Sequence, residues 1–195
     1  MPPETSQSQN PKGERIAKVM ARAGLCSRRE AERWITDGRV IMDGEVLKTP
    51  AVTITAANNI TVDGKPLPQA EPSRLWRYHK PTGLLTTHKD TDGRPTVFQS
   101  LPDTLPRLIS VGRLDLNSEG LLLLTNDGEL ARKLELPATG WRRRYRVRVH
   151  GRIQAGSLSP LEDGLNIAGI KYGPIKASLE RQQGANAWLS VSLTE

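Results

Sequence analysis

The spacing of apolar residues near the start of the chain predicts a short amphipathic helix. Four apolar residues recur at i, i+3, i+4 and i+7, namely Ile16, Val19, Met20 and Ala23. This spacing lines one face of an α-helix, and Gly24 follows it as a residue that readily closes a helix in the left-handed conformation. Ser27-Arg28-Arg29-Glu30 then has the spacing of a capping box, which predicts a second helix that ends near Thr36.

Further patterns predict strands and one more helix. Asp43-Gly44 separates the short runs 39–42 and 45–48, and this dipeptide is a strong signal for a two-residue hairpin. Four consecutive leucines at 121–124 are short enough for a buried strand and too short to span a membrane. A turn signal at 126–128 then opens a helical pattern that ends before Pro137.

Residues 141–150 alternate between two sets of side chains, as a β-strand does. One set consists of Arg142, Arg144, Arg146, Arg148 and His150. The opposite set consists of Arg143, Tyr145, Val147 and Val149. Arginines in a row on one sheet face repel one another unless an anion covers them. We therefore expect a phosphate backbone on this face, with a solvated basic face as the alternative.

The charge balance also favours a polyanionic partner. The chain has 28 Lys and Arg against 21 Asp and Glu, a formal charge of +7, and a pI near 9.9. Residues 74–152 alone contain 15 basic and 8 acidic residues, so their surplus equals that of the whole chain. A local surplus of this size favours nucleic acid as the partner.

The number and spacing of the cysteine and histidine residues disfavour a disulfide and a metal site. Cys26 is the only cysteine, so no disulfide can form within the chain and a cytoplasmic location is expected. His79 and His88 are too scattered to suggest a metal site. Residues 1–13 contain neither a signal-peptide pattern nor an amphipathic targeting pattern, and their composition predicts a disordered tail. We expect neither a metal nor a membrane among the partners.

Asp115 has sequence neighbours that are typical of a catalytic carboxylate. Asp115 lies between Arg113 and a polar turn at 117–120, just before the leucine run. A loop that is held by a buried strand can position a nucleophile or a base. The alternative is an aspartate that only binds nearby backbone amides of its turn. No glycine-rich phosphate loop of the G-x-x-x-x-G-K-[ST] type occurs in the sequence, which disfavours a nucleotide-dependent enzyme.

The first part of the chain resembles a known RNA-binding family. The segment ERIAKVMARAGLCSRREAERWITDGRVIMDGEVL is similar to the S4 RNA-binding module, since it contains the A-G-x-x-S-R-R-E-A centre and the G-R-V-x-x-x-G hairpin. In that family two helices and a hairpin clamp structured RNA. The resemblance implies RNA contacts for Lys18, Arg22, Ser27, Arg28, Arg29 and Arg39.

The rest of the chain resembles the RsuA/RluB-type ribosomal RNA pseudouridine synthases. Residues 112–128 match the signature G-R-L-D followed by G-L-L-L-L-T-x-D-G, and K-P-x-G at 80–83 and D-x-x-G-R-P-T-V at 90–97 match the same domain. The resemblance implies that Asp115 is the catalytic carboxylate and that Arg113 helps to hold the RNA open. It also implies that Tyr145 stacks on the target uracil in the cleft that contains Asp115.

These patterns together predict an α+β protein with four segments. They are a disordered tail (1–13), an S4 module of two helices plus a hairpin (14–62), a linker (63–73), and a catalytic domain with a mixed, mainly antiparallel sheet and flanking helices (74–195). The expected function is isomerisation of one uridine in ribosomal RNA, in the 23S, RluB-like branch, by a monomer bound to ribosomal RNA or a ribosomal subunit precursor. No cofactor is expected, because the base is detached, rotated and rejoined.

The expected function has two alternatives, and the end of the sequence favours one of them, the non-catalytic protein. The run 188–193 predicts a last strand, and the sequence stops at Glu195 where related synthases continue into an E-G-x-x-R-x-V-R segment. On this comparison we expect a catalytic domain that is incomplete at its C-terminus, a last strand left as a sheet edge, and little turnover. The alternatives are a 16S-specific, RsuA-like synthase and a non-catalytic, S4-containing protein that binds ribosomes or RNA.

Overall fold

The computed structural model describes residues 13–154 and 156–194. Within these ranges the chain divides into two compact units, the first ending at Ala131 and the second beginning at Arg132. All strands with two or more paired residues pair antiparallel, and a single parallel bridge joins Leu85 and Thr96. The fold is α+β, with helices beside mainly antiparallel sheets, as the sequence predicts.

The first unit opens with a small module of two helices and short strands. Its elements are β1 (Glu14–Arg15), α1 (Ile16–Arg22), α2 (Arg28–Thr36), β2 (Val40–Met42), β3 (Glu45–Val46), β4 (Thr53–Ile54), β5 (Ile60–Val62) and β6 (Lys65–Pro66). The strands form a sheet in the order β3-β2-β5-β6, and β1 pairs with β4. The module therefore contains more strands than the single hairpin that its sequence predicts.

Both predicted helix signals of the module are confirmed. Ser27 Oγ accepts a hydrogen bond from the Glu30 amide at 3.2 Å, and the Glu30 carboxylate accepts one from the Ser27 amide at 3.5 Å. These two bonds are the capping box of α2. Gly24, two residues beyond the end of α1, has φ +81°, which places it in the left-handed conformation.

The hairpin between β2 and β3 forms at the predicted turn. Asp43 and Gly44 have φ of +51° and +91°, the pair of positive values that a two-residue hairpin of this hand requires. The Asp43 carboxylate accepts hydrogen bonds from Asn58 Nδ2 at 2.8 Å and from the Asn59 amide at 2.7 Å. A second turn of this kind at Asp63-Gly64 leads into β6, so the first residues of the predicted linker lie in this sheet.

The core of the module explains the single cysteine. Its buried residues are Ile16, Ala17, Met20, Cys26, Ala31, Ile35, Val40, Leu47, Ile54, Ile60 and Val62. Cys26 is only 2% exposed, and burial raises the pKa of its thiol to about 11. A thiol in this state is a small apolar packing group and a poor nucleophile at neutral pH.

The remainder of the first unit contains a three-stranded sheet and one helix. The elements are β7 (Leu75–Lys80), β8 (Ile109–Val111), β9 (Gly120–Thr125) and α3 (Gly128–Glu135), which crosses the division between the units. The sheet order is β7-β9-β8, with the four leucines on the central strand. Only alternate leucines are buried, however: Leu122 and Leu124 are at most 2% exposed, whereas Leu121 is 66% exposed. The predicted strand is present, but it is buried on one face only.

The second unit is built mainly on strands. They are β10 (Arg143–His150), β11 (Leu165–Ile167), β12 (Ile170–Tyr172), β13 (Lys176–Gln183) and β14 (Asn186–Leu193). They form a sheet in the order β10-β14-β13 and a separate hairpin of β11 and β12. The last strand is therefore central and not an edge, which corrects the sequence expectation. It is central because β13 folds back on it as a hairpin while β10 pairs with its other side.

Candidate active site

Asp115 lies on the loop that joins β8 to the central strand β9. Its side chain is exposed, and its backbone carbonyl accepts a hydrogen bond from the Ser118 amide at 3.0 Å, which closes a tight turn. Among the described residues, no side chain donates a hydrogen bond to the Asp115 carboxylate. The carboxylate therefore faces solvent from a loop whose backbone is held in place by other groups.

A buried lysine holds the backbone of this loop. Lys80, the last residue of β7, is completely buried, and its ammonium group donates to the carbonyls of Asp115 at 2.9 Å, Ser118 at 2.8 Å and Pro81 at 3.1 Å. Burial lowers the pKa of Lys80, and the negative charge of Asp115 opposes that shift. A buried ammonium needs several acceptors to compensate for its lost hydration. The carbonyls of the loop supply them.

Two further groups from the segment after β7 form hydrogen bonds with the backbone of this loop. The Gly83 amide donates to the Leu116 carbonyl at 2.8 Å, and Gly83 has φ +85°, a conformation that other residues rarely adopt. Thr86 Oγ1 donates to the Leu114 carbonyl at 2.8 Å and accepts from the Leu114 amide at 3.3 Å. We call Lys80, Gly83 and Thr86 the loop clasp. It fixes the backbone on both sides of Asp115.

The residue before Asp115 anchors the loop to the core. Leu114 packs against a cluster of buried residues that consists of Val97, Leu108, Leu122 and Leu124. Asp115 itself is exposed, so the loop has one side in the core and one side in solvent. Such an arrangement presents a carboxylate in a fixed position without burying it.

The other two predicted substrate residues are accessible. Arg113 is exposed, and it forms no ion pair within the described part of the chain. Tyr145 lies on β10 opposite Val191 of β14 and is 38% exposed. The predicted strand is present, beginning at Arg143 where the pattern suggests 141. Asp115 and Tyr145 belong to different compact units, and their common cleft stays a prediction.

The D-x-x-G-R-P-T-V element forms a tightly bonded loop in the first unit. The Asp90 carboxylate accepts from the Arg94 amide at 2.8 Å, from the Asp92 amide at 3.0 Å and from Arg94 Nη2 at 2.7 Å. These bonds, led by the one from the Arg94 side chain, lower the pKa of Asp90 to about 2. The loop therefore keeps its shape through an aspartate that remains ionised throughout the physiological range.

The predicted RNA contacts of the S4 module differ in their surroundings. Arg28 and Arg29 are exposed in the first turn of α2, and neither forms an ion pair among the described residues. The positive end of a helix and these two cations together favour phosphate. The Ser27 hydroxyl just before them is occupied by the capping box.

The other three cations of that group are paired with carboxylates. Lys18 binds Glu14 at 2.7 Å and also binds Glu129 at the start of α3, and Arg22 binds Glu14 at 2.7 Å. Arg39 binds Asp63, with Nε 2.9 Å from the carboxylate, and its guanidinium lies 4.5 Å from the centre of the Trp34 ring. RNA would have to compete with these acids for all three side chains.

Sequence reasoning missed the loop clasp. Lys80, Gly83 and Thr86 received no role, although Lys80-Pro81-Thr82-Gly83 matches the family pattern. A signal was present in β7, where Trp76, Tyr78 and Lys80 share the inward phase of the alternation and Lys80 is buried. A lysine on the inward phase of a strand needs buried acceptors.

The described residues contain no group of three or more His, Cys, Asp or Glu side chains that could hold a metal ion. None of their helices has the length and apolar character that crossing a membrane requires.

The chain matches two family profiles. The profile described as RNA pseudouridylate synthase matches residues 74–191, and the profile described as S4 domain matches residues 14–60. A solved structure described as pseudouridylate synthase superimposes with a TM-score of 0.58 at 25% identity, covering 93% of this chain and 77% of that one. The first profile spans more than half of the chain and includes Asp115 and the loop clasp.

Curated relatives agree with these profiles. An uncharacterized RNA pseudouridine synthase of Rickettsia felis is 48% identical over 182 residues, covering 93% of this chain and 79% of that protein. The ribosomal large subunit pseudouridine synthase B of Yersinia pestis is 42% identical, covering 94% of this chain and 59% of that protein, and its Escherichia coli namesake is 42% identical with 93% and 65% covered. The chain therefore belongs to the RNA pseudouridylate synthase family, with an S4 domain preceding the synthase domain.

Proposed function

We propose that this chain converts a uridine of large-subunit (23S) ribosomal RNA into pseudouridine, with Asp115 as the catalytic carboxylate. The observation that carries the assignment is the loop clasp, which holds the backbone around Asp115 while its carboxylate stays exposed. A family-matching aspartate that served only its own turn would use its carboxylate to bind backbone amides. The names of the relatives at 42% identity favour the large subunit over the small one.

The reaction is an isomerisation that needs no external reactant. The glycosidic bond between C1′ and N1 of uracil breaks, the base rotates, and C1′ bonds to C5. The C5 proton is then lost and N1 gains a proton, so atoms and electrons balance. Asp115 supplies either the nucleophile that attacks the ribose or the base that removes a proton.

The target uridine has to leave its stack before it can reach Asp115. Extruding a base costs a few kcal/mol, which is recovered by contacts in the active site. Family resemblance assigns two of these contacts, with Tyr145 stacking on the uracil and Arg113 holding the RNA open. Exposure of both side chains supports this assignment, because a buried side chain could not meet RNA. No cofactor is required for this chemistry.

The S4 module supplies a second point of contact with ribosomal RNA. Exposed Arg28 and Arg29 at the start of α2 support phosphate binding there. We propose that the protein acts as a monomer in the cytoplasm, where ribosomal subunit precursors are found. A single cysteine that is buried fits this reducing compartment.

The assignment is tested by Asp115→Asn, which keeps the size of the side chain and removes its charge. The full chain and the variant are incubated with in vitro transcribed large-subunit RNA, pseudouridine is labelled with carbodiimide, and reverse-transcription stops are mapped. In place of the little turnover expected from the sequence alone, we expect the unchanged chain to modify one position. The variant should lose at least about a hundredfold in rate while its RNA affinity is retained.

Asp103→Asn is the matched control, since Asp103 is also an exposed loop aspartate but lies outside the site. It should modify the same position at the normal rate. Normal stops with Asp115→Asn would remove Asp115 from the chemistry, and stops only on small-subunit RNA would move the substrate to the other branch.

A further inference from the structure

One face of the sheet in the second unit has an unusual concentration of positive charge. In an antiparallel sheet, residues that are directly paired project to the same face. The register pairs Arg144 with Ser192, Arg146 with Ser190 and Arg148 with Trp188. On the other side of β14, Lys176 pairs with Ser192 and Arg181 pairs with Trp188. We call this set of side chains, from three adjacent strands, the basic face.

The three strands of the basic face contribute a single carboxylate. Glu180 lies at the irregularity in β13 between Leu179 and Arg181, and it reaches Arg146, with Oε2 2.7 Å from Nε. Five cations therefore stand against one acid, a formal charge of +4 on one side of a three-stranded sheet. Between them lie Ser178, Ser190 and Ser192, whose short side chains leave the surface open.

Arg146 is held in one orientation. Its guanidinium lies 4.6 Å from the centre of the Trp188 ring, and its Nε donates a hydrogen bond to the Glu180 carboxylate. Stacking on an aromatic ring and an ion pair restrict a side chain that would otherwise be mobile. A donor that is already ordered loses less entropy when it binds a ligand.

A hollow of about 500 Å³ lies at one end of the basic face. Its walls include Arg148, Arg181, Asn186 and Trp188, together with the turn between β13 and β14. Its volume falls within the usual range for small-molecule sites, which extends from about 300 to 1,000 Å³. Two arginines beside an aromatic ring and an amide side chain suit the phosphate and the base of a nucleotide.

The opposite face of the same sheet has a different character. Val147 and Val149 of β10 project there beside buried Ala187 and Leu189 of β14, and Tyr145 projects to that side as well. Alternation along β10 therefore separates the residue assigned to the uracil from the arginines by the thickness of the sheet. A nucleotide that stacks on Tyr145 cannot be the one that lies on the basic face.

We propose that the basic face binds the phosphodiester backbone of a second RNA segment, distinct from the segment that contains the target uridine. This inference rests on the proposed function in so far as RNA is the substrate. Phosphates spaced along a strand match a regular row of cations, and neutralising them releases the counterions of the RNA. A protein partner would also require an acidic surface, whereas the proposed substrate already supplies the charge.

The test uses two variants with opposite expected signs. Arg148→Gln/Arg181→Gln removes two cations of the hollow, and Glu180→Gln removes the only carboxylate and frees Arg146. With a long ribosomal RNA fragment we expect the first variant to bind more weakly, with the slope of log K against log salt reduced by about 2. Glu180→Gln should bind several-fold more tightly, because a repulsive charge next to phosphate is gone.

A minimal stem-loop that contains only the target site gives the second readout. On this short RNA both variants should match the unchanged chain in kcat and KM, whereas on the long fragment the double variant should have a raised KM and an unchanged kcat. Lys171→Gln is the control, since Lys171 is an exposed cation of the same unit in the separate β11–β12 hairpin. It should behave as the unchanged chain on both RNAs.

The outcomes separate this inference from the proposed function. If the unchanged chain modifies RNA but the double variant and Glu180→Gln keep its long-RNA affinity and salt slope, the basic face is a solvated surface and the inference fails. Equal weakening on the long and short RNAs would place these arginines at the target segment and would also overturn it. Absence of any pseudouridine with the unchanged chain would count against the proposed function, while the binding data would still decide the basic face.

Discussion

Lys80 shows how one residue can determine a site without touching the substrate. Its ammonium group replaces lost water with carbonyls of Asp115, Ser118 and Pro81, so the loop conformation and the burial of the charge depend on each other. Sequence analysis named Arg113 as the basic neighbour of Asp115. Arg113 is exposed, whereas the buried cation whose pKa responds to the Asp115 charge is Lys80.

Lys80→Met should therefore disable the site through stability and geometry together. The substitution keeps an unbranched apolar stem and removes the donor, which leaves several buried carbonyls without a partner at about 1–3 kcal/mol each. We expect the free energy of unfolding to fall by about 3 kcal/mol in urea titrations, and turnover to be lost even where the chain is still folded. Lys133→Met, at an exposed position of α3, is the control. An unchanged urea midpoint for Lys80→Met would contradict this role.

At the scale of elements, local signals predicted what local interactions determine. The capping box of α2, the stop at Gly24 and the Asp43-Gly44 hairpin each depend on residues within four positions of one another, and all three formed as predicted. The leucine run gave a partly wrong result for a related reason. Four identical apolar residues carry no alternation, so the exposed face at Leu121 cannot be distinguished from the buried one.

The capping box itself can be tested. Ser27→Ala removes the acceptor for the Glu30 amide, and losing such a cap typically costs about 1 kcal/mol. Ser27→Asp keeps an acceptor and adds a negative charge at the positive end of the helix, so it should retain the stability of the unchanged chain or exceed it. Thermal unfolding measured by circular dichroism is the readout. If the two variants were equally stable, the serine hydroxyl would contribute nothing to α2.

At the scale of the whole molecule, the sequence predicted the class of fold and missed its long-range pairings. Lys80 and Asp115 are 35 positions apart, and no periodic pattern indicates that one binds the other. The sequence analysis expected the strand at 188–193 to lie at a sheet edge, by comparison with related synthases. It is central because β10, more than 35 residues earlier, pairs along its full length. Such pairings depend on how distant strands pack together in three dimensions. The pattern of a single sequence does not show this packing.

The cations of the S4 module should contribute unequally to RNA binding. Arg28 is exposed without an ion pair in the described chain, whereas Arg39 is bound to Asp63 and stacked on Trp34. A cation that is already neutralised releases little counterion charge when phosphate replaces its carboxylate. Arg28→Ala should thus lower the slope of log K against log salt for ribosomal RNA by about 1, and Arg39→Ala by clearly less.

Asp63→Asn removes the ion pair of Arg39. It should therefore raise this slope by up to about 1, the value for one added phosphate contact. Filter-binding titrations over a range of salt concentrations measure all three slopes. Equal slopes for Arg28→Ala and the unchanged chain would mean that Arg28 belongs to a solvated surface, and a larger loss at Arg39 than at Arg28 would show that RNA displaces Asp63 completely.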